Sequence, residues 1–491
     1  LQIQGQRQTG PDGSSRTRLL LRLDDLDPQQ ILSWLPGLSS HALRVRAERT
    51  KALLELILPD NPRDKDGPVL SGTVSLTGLN LRAITHDNWT ERAGKVQCSA
   101  AEAELILRAN LFRKQYRVEK LTLSSPLFIL PPSTEKKQPA RPPLSHWPGQ
   151  AFNLASLPVD LMITQLNINN GTVQRGGQKQ GELWEELQLT LTDYRNQSPS
   201  PAEKNQTGEA QTAALSFSAR QGETRVQFQG STAPDLSLNG KITLDNLDSS
   251  LLQPYLSAEK ALQLSGGQAH LLMRTDPEQK KYTVEELIVE QAQLVVNNLN
   301  EKGKSGRLPF LIRIGELLDP TALPFDLMIR HLTFNKGKIQ RKKELPWENV
   351  QLELKEYRNR NRSKTAAQTA ALSFSARQGE TRVRFQGSAA PDLSLNGKIT
   401  LDNLDSSLLQ PYLGAEKALR LSGGTINLTG VLHKTEAGGK ERAAVIEQAT
   451  VQIPDIRLKQ GKGKVLLSAG KAEATGCTID LMTASLSCAC L

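Results

Sequence analysis

The chain contains one stretch twice. Residues 211–267 return as residues 368–424, displaced by 157 positions without a gap. Over those 57 positions only four pairs differ: Gln227/Arg384, Thr232/Ala389, Ser257/Gly414 and Gln263/Arg420. A looser copy precedes it. Leu-Pro-Val-Asp-Leu-Met-Ile from Leu157 reads again as Leu-Pro-Phe-Asp-Leu-Met-Ile from Leu323, displaced by 166, so nine residues of length difference fall in the polar segment between. A fixed internal period marks a repeat architecture, in which each unit covers its apolar residues against its neighbours.

Inside the repeat the dominant rhythm is two. Leu215, Phe217 and Ala219 alternate with Ser216 and Ser218, and Val226 and Phe228 alternate with Arg225 and Gln227. Leu236, Leu238, Ile242 and Leu244 continue the series, with Gly240 read as a turn or bulge. Strict alternation puts one row of side chains on each face, so these are strands with one apolar and one wet face. Residues 247–256 break the rhythm. Asp248 is a good N-cap and Leu251, Leu252 and Tyr255 share one face of a helical turn, while Pro254 limits the helix to a turn or two. Each unit therefore reads as antiparallel strands punctuated by one short helix. The expected fold is mainly β: an elongated repeat of antiparallel strands with short helices.

The first part of the chain carries the same signals. Asp27 aligns with Asp248 and Trp34 with Tyr255, and Leu-Ser-Gly-Thr-Val from Leu70 resembles Leu-Ser-Gly-Gly-Thr-Ile from Leu421. Strands are expected over 19–26, 42–58, 69–83, 103–111 and 116–130. The domain reading is a divergent first unit over 1–133 and a Pro/Lys-rich linker over 134–156. A second unit over 157–298, a connector over 299–322 and a third unit over 323–460 follow, with further strands over 461–491. Residues 433–442 read as a hairpin loop, and residues 196–211 as a polar interruption.

Composition limits the functions available. Apolar residues make up 38% and aromatics 4%, with a mean hydropathy of −0.41, enough for one buried face per strand. No apolar run is long enough to span a membrane as a helix. The chain starts in mid-pattern at Leu1, so an N-terminal anchor or targeting segment is expected outside it. The net charge of +10 is spread over strand edges and loops, and no aromatics interleave with the basic residues, which argues against nucleic acid as a partner.

Catalytic and metal-ligating patterns are missing. The six histidines, His41, His86, His146, His270, His331 and His433, share no motif, and no phosphate-cradling or nucleophile-elbow sequence occurs. Asp245 and Asp248, repeated as Asp402 and Asp405, read as helix-capping and turn residues rather than an acid–base pair. Cys98, Cys477, Cys488 and Cys490 are too few for a disulfide scaffold, and the last three read as strand positions near the end of the chain. No cofactor, no metal and no enzymatic activity are expected.

Two elements carry a resemblance. The stretch 323–340, Leu-Pro-Phe-Asp-Leu-Met-Ile through Asn-Lys-Gly-Lys-Ile-Gln, is similar to a recurring element of the AsmA-like family of bacterial envelope proteins, a Pro-led strand ending in an Asn/Lys-Gly turn before a second strand. Residues 401–430 resemble the branch of that family long listed as a domain of unknown function. The resemblance implies a periplasmic protein attached to the inner membrane by a helix that is not in this chain. It further implies a gutter-like β-sheet whose apolar interior carries phospholipid or another envelope lipid toward the outer membrane, with envelope proteins as further partners. No catalytic residue follows from it.

The expected lipid-facing row is Leu215, Phe217, Val226, Phe228, Leu236, Leu238, Ile242 and Leu244, with copies Leu372, Phe374, Val383, Phe385, Leu393, Leu395, Ile399 and Leu401. Two functions remain open on these residues. The row lines a groove that holds or conducts acyl chains, or it fills the core of a β-repeat scaffold that assists outer-membrane assembly or protein interaction.

Overall fold

The structure is a computed structural model that describes residues 2–9, 15–33, 43–59, 67–83, 97–130, 159–175, 183–196, 212–248, 262–276, 279–296, 323, 325–341, 345–360, 369–392, 394–405, 419–421, 424–435, 443–460, 464–481 and 485–489. Among the described residues it is almost wholly β, as the alternation predicts: 27 strands and one six-residue helix. The chain forms two compact units, Leu1–Thr243 and Leu244–Leu491. No described helix is long and apolar enough to cross a membrane.

The first unit begins with β1 (Gln2–Thr9), β2 (Ser15–Asp24) and α1 (Pro28–Ser33). It continues through β3 (Leu43–Arg46), β4 (Arg49–Pro59), β5 (Val69–Ala83), β6 (Gln97–Asn110), β7 (Gln115–Ser124) and β8 (Leu127–Leu130). Then come β9 (Asp160–Arg175), β10 (Leu183–Arg195), β11 (Ala213–Gln221), β12 (Thr224–Thr232) and β13 (Leu238–Asp245), whose last two residues pass the unit boundary. The ladder runs β1–β2–β4–β5–β6–β7–β9–β10–β11–β12, with β3 added to β5 and β8 set between β6 and β9. Helix α1 starts as the sequence implies. Pro28 takes the first helical position, and Asp27 Oδ1 accepts the Gln29 N–H at 3.0 Å. Strand β1 was not expected: Gln-Ile-Gln-Gly-Gln-Arg-Gln-Thr has no apolar row, and all eight residues are exposed.

The second unit contains β14 (Leu262–Ser265), β15 (Gln268–Asp276), β16 (Lys281–Glu290), β17 (Gln293–Val296), β18 (Asp326–Arg341) and β19 (Trp347–Arg358). After these come β20 (Ala370–Gln378), β21 (Thr381–Ala389), β22 (Leu395–Asp405), β23 (Leu419–Leu421), β24 (Thr425–Thr435), β25 (Ala443–Gln460), β26 (Lys464–Asp480) and β27 (Ser485–Ser487). Its ladder runs β15–β16–β18–β19–β20–β21–β22–β24–β25–β26–β27.

The pairing is antiparallel except at one step in each unit. Strand β9 lies parallel to β7 and β8, and β18 lies parallel to β16 and β17, in the same register displaced by 166 residues (Val118↔Ile163, Val284↔Ile329). Parallel neighbours need a long return connection. Residues 131–159 and 297–325 join these strands and contain the stretches 134–156 and 299–322 read from the sequence as linker and connector.

The two near-identical copies fold alike. β11 and β20, β12 and β21, and the starts of β13 and β22 match residue for residue, and the pairs Phe217↔Phe228 and Phe374↔Phe385 stand in the same register. Residues 249–261 and 406–418, which carry the expected second and third helices, lie outside the described residues; Asp248 bridges Ser265 and Asp405 pairs with Thr425.

Two turn readings are corrected. Gly240 lies inside β13 and not at a turn. Its backbone rests against that of Gly230, as Gly397 pairs with Gly387 in the second copy. The Asn170-Gly171 and Lys336-Gly337 steps are bulges inside the unbroken strands β9 and β18, with φ of 53° at Asn170 and 51° at Lys336. A left-handed residue there adds one position to one strand, which bends the strand without ending it.

The paired glycines give a testable packing constraint. A Cβ on Gly397 would stand 2.4 Å from Gly387 Cα and 2.5 Å from Gln386 O, both backbone atoms that cannot move aside. Gly397→Ala is expected to cost about 1–3 kcal/mol, each kcal/mol lowering Tm by about 2–4 °C. Gly470→Ala, with open space at its Cβ, is expected to stay within about 0.5 kcal/mol of the parent. Calorimetric melting of the two variants measures the difference.

Candidate functional site

The candidate site rests on strands β9 to β13 and their copies β18 to β22, so their placement comes first. The start of β9 is held by the end of β10. Asn196 is 2% exposed and uses its side chain as a surrogate strand. Its Oδ1 accepts the Leu161 N–H at 2.8 Å and its Nδ2 donates to the Val159 carbonyl at 2.9 Å, while its own N–H donates to the Leu161 carbonyl at 3.0 Å. Asn359 does the same at the start of β18. Oδ1 accepts Leu327 N–H at 2.8 Å, Nδ2 donates to Phe325 O at 3.0 Å, and N–H donates to Leu327 O at 3.1 Å.

The residues beside these asparagines complete the lock. Tyr194 and Tyr357 are buried, and their hydroxyls donate to the Pro234 and Pro391 carbonyls at 3.1 and 2.7 Å, tying β10 and β19 to the turn that precedes β13 and β22. Arg195 makes a two-pronged bond to Asp160 at 3.1 and 3.0 Å, and Arg360 Nη1 reaches Asp326 at 3.2 Å. The sequence reading placed Asn196 in a polar interruption. The repeated Tyr-Arg-Asn at 194–196 and 357–359 was the available signal, and it was passed over because a polar triplet at a strand end looks like loop.

The apolar row is where the two copies part. In the first copy Phe228 is 2% exposed, its ring stacked on Phe217 with centroids 5.4 Å apart. Leu215, Phe217, Val226, Leu236, Leu238, Ile242 and Leu244 are only half-buried. Leu236 is not on a strand but in the turn before β13, at φ 63°. In the second copy Phe374, Val383, Phe385, Leu395, Ile399 and Leu401 are all buried, and Leu372 is half-buried; Leu393 lies outside the described residues.

Neighbours explain the difference. The buried core of the first unit runs from Leu23 through Leu54, Val74 and Ile163 to Ala213, and Leu215 and Leu236 only flank it. In the second unit the same row sits in the middle of a larger core that continues through Ile426, Leu432, Ile446 and Ile479. The row ends one cluster and is the centre of the other.

The opposite face of the first copy is polar and slightly hollow. A depression of about 350 Å³ lies over β10 to β13, where Ser216 and Ser218 stand between the longer Gln188, Gln227 and Gln229, and Lys241 is its charged group. In the second copy this face is crossed by internal pairs. Ser375 Oγ donates to Gln351 at 3.4 Å, Arg384 Nη2 is 4.0 Å from Asp402, and Lys355 Nζ is 2.8 Å from Glu353.

Titrating groups form no reaction centre among the described residues. His331 Nε2 contacts both Glu353 Oε1 at 3.0 Å and Thr333 Oγ1 at 3.2 Å. Both partners use one ring nitrogen, so no relay runs through the imidazole. Hydrogen bonds from Lys355 and then His331 hold the Glu353 carboxyl below its ordinary value. His433 lies 3.6 Å from Glu447, and His270 opposes Ile288. His41, His86 and His146 lie outside the described residues. The cysteine reading is corrected: Cys477 and Cys488 are joined by a disulfide, because β27 folds back on β26 and brings them together. Cys98 is free and buried, its thiol pushed up to about 11 by desolvation.

The lock predicts two measurable effects. Asn196→Ala or Asn359→Ala leaves a buried strand-start N–H and carbonyl without partners, at about 1–3 kcal/mol per group, and amide exchange at Leu161 or Leu327 should speed up accordingly. Burial and then the Asp235 charge push the Tyr194 hydroxyl from 10.0 up to about 12. A raised pKa gives stability that is present below pH 10 and is lost as pH rises toward 12. Tyr194→Phe should flatten that part of the stability profile while lowering the plateau by about 0.5–1.5 kcal/mol.

Searches against protein-family models, curated proteins and solved structures find no match to this chain.

Proposed function

We propose that this is a non-enzymatic, AsmA-like cell-envelope protein that holds or conducts lipid acyl chains between inner and outer membranes along the apolar row of its first repeat copy. The observation that carries the reading is the half-burial of Phe217, Val226, Leu238 and Ile242, whose counterparts Phe374, Val383, Leu395 and Ile399 are buried in the second copy. A sequence that packs fully in one setting leaves apolar area uncovered in the other, and phospholipid acyl chains are an occupant of matching chemistry. The Cys477–Cys488 disulfide suits an oxidising compartment such as the periplasm. Attachment to the inner membrane is assigned to a segment outside this chain, and envelope proteins are further partners.

The second reading, a β-repeat scaffold assisting outer-membrane assembly, is favoured by the other copy. Phe374, Val383, Phe385 and Ile399 belong to a filled core, with no uncovered row for a ligand. In the proposed division of labour the second unit is framework and the first carries the lipid.

Phe217 and Phe374 make the test, since both sit in the same local sequence. Phe374→Asp buries a carboxylate in the core at a cost of several kcal/mol, against a total stability of about 5–15 kcal/mol, and is expected to unfold the second unit. Phe217→Asp places the charge where water reaches it, costs about 1–3 kcal/mol, and is expected to stay folded while losing bound lipid. Native mass spectrometry of the purified protein, with phospholipid extraction, reads the lipid, and thermal melting reads the fold. A folded Phe217→Asp protein that retains its phospholipid would rule out lipid carriage at this row.

A further inference from the structure

We propose that the polar hollow on the outward face of β10 to β13 binds a short glycan segment. This site lies on the opposite face from the apolar row and does not depend on the lipid reading. Its construction follows from side-chain length. On β11 the outward residues are Ser216 and Ser218; cross-strand pairing puts Gln188 on one side of Ser218 and Gln227 on the other, and Gln229 beside Ser216. Two short hydroxyl side chains between longer amides leave a trough, and its volume of about 350 Å³ is at the small end of ligand pockets, which span roughly 300–1,000 Å³.

The chemistry of the trough selects the ligand class. Side chains of Gln188, Ser216, Ser218, Gln227, Gln229 and Lys241 engage no other described protein group, so their donors and acceptors face the hollow or solvent. Hydroxyls and amides each donate and accept, which suits a ligand dense in hydroxyl groups. Leu189, Phe217 and Phe228 also border the hollow, but strand alternation turns their side chains to the other face, which disfavours a lipid tail, and the lining holds no second cation for the phosphates of a nucleic acid. Among the described residues no group of three His, Cys, Asp or Glu offers a metal site. Lys241 adds one positive charge with no facing carboxylate in the lining, so a sugar acid should bind more tightly than its neutral counterpart.

The second copy supplies the internal contrast. Arg384 stands where the first copy has Gln227, and Glu353 where it has Thr190; both are drawn into pairs with Asp402 and with Lys355 and His331. The serines Ser373 and Ser375 are retained, but Ser375 is bonded to Gln351. Binding is therefore assigned to the first copy alone.

The experiment titrates the whole chain with maltotetraose, N,N′,N″,N‴-tetraacetylchitotetraose and tetragalacturonate, followed by saturation-transfer NMR and calorimetry. At least one is expected to bind with a Kd of about 0.1–10 mM, with tetragalacturonate the tightest. Ser216→Val with Ser218→Val fills the trough on an exposed strand face that tolerates β-branched residues, and should weaken binding about tenfold or more with an unchanged melt. Should that pair unfold, Gln188→Ala with Gln229→Ala makes the same test by removing the amides. Lys241→Gln should remove the preference for the uronate, and Ser373→Val with Ser375→Val should leave binding as it was. Absence of binding by all three oligosaccharides, or binding unchanged when the trough is filled, would overturn the proposal. Retained phospholipid in the trough variants separates this outcome from the fate of the lipid reading.

Discussion

A strand with one apolar face has to cover that face, and this requirement organises the whole chain. Backbone pairing satisfies the polar groups along the ladder, but it leaves a row of Leu, Val, Ile and Phe on one side that water disfavours. The first unit covers most of its row with side chains from eight strands, from Leu23 on β2 to Ala213 on β11. The second unit covers more, from Ile339 on β18 to Ile479 on β26. Coverage thins at Leu215, Phe217 and Ile242, which stay half-buried.

Repetition in the sequence becomes repetition of devices, and the most specific is the parallel step. Antiparallel neighbours are positioned by short turns, but β9 and β18 arrive after long excursions and need another guide. Asn196 and Asn359 provide it by presenting an amide that imitates a paired strand to the incoming backbone. The neighbouring tyrosine fixes the following turn and the arginine pairs with the aspartate that opens the strand. A short segment at the end of a strand, Tyr194 to Asn196 in one copy and Tyr357 to Arg360 in the other, thus sets both the entry of its partner and the position of the apolar row.

Much of this was legible beforehand. Period-two alternation located β2, β5, β7, β11 and β12 and the copies β20 and β21, with β5 matching its expected bounds at 69–83, and Asp27 was recognisable as the cap of α1. What escaped has physical causes. Strand β1 has no apolar row to reveal it. Asn170-Gly171 and Lys336-Gly337 look like turns because a left-handed residue serves a turn and a bulge equally well. Asn196 reads as loop because its burial depends on a strand arriving from 35 residues away. The Cys477–Cys488 bond depends on β27 doubling back, which spacing alone does not state.

The two 57-residue copies separate the local from the global. Sequence by itself determined the strands, their register, the Gly222 and Gly379 turns and the glycine pairs, because each depends on contacts between residues near in the chain. Tertiary structure decided what the apolar row does. Phe217 and Phe374 share their neighbours in sequence, yet one is half-buried and the other is 6% exposed. Burial is set by what packs over a side chain, and that comes from strands distant in sequence: a core that ends at Ala213 for one copy, and one that runs on to Ile479 for the other.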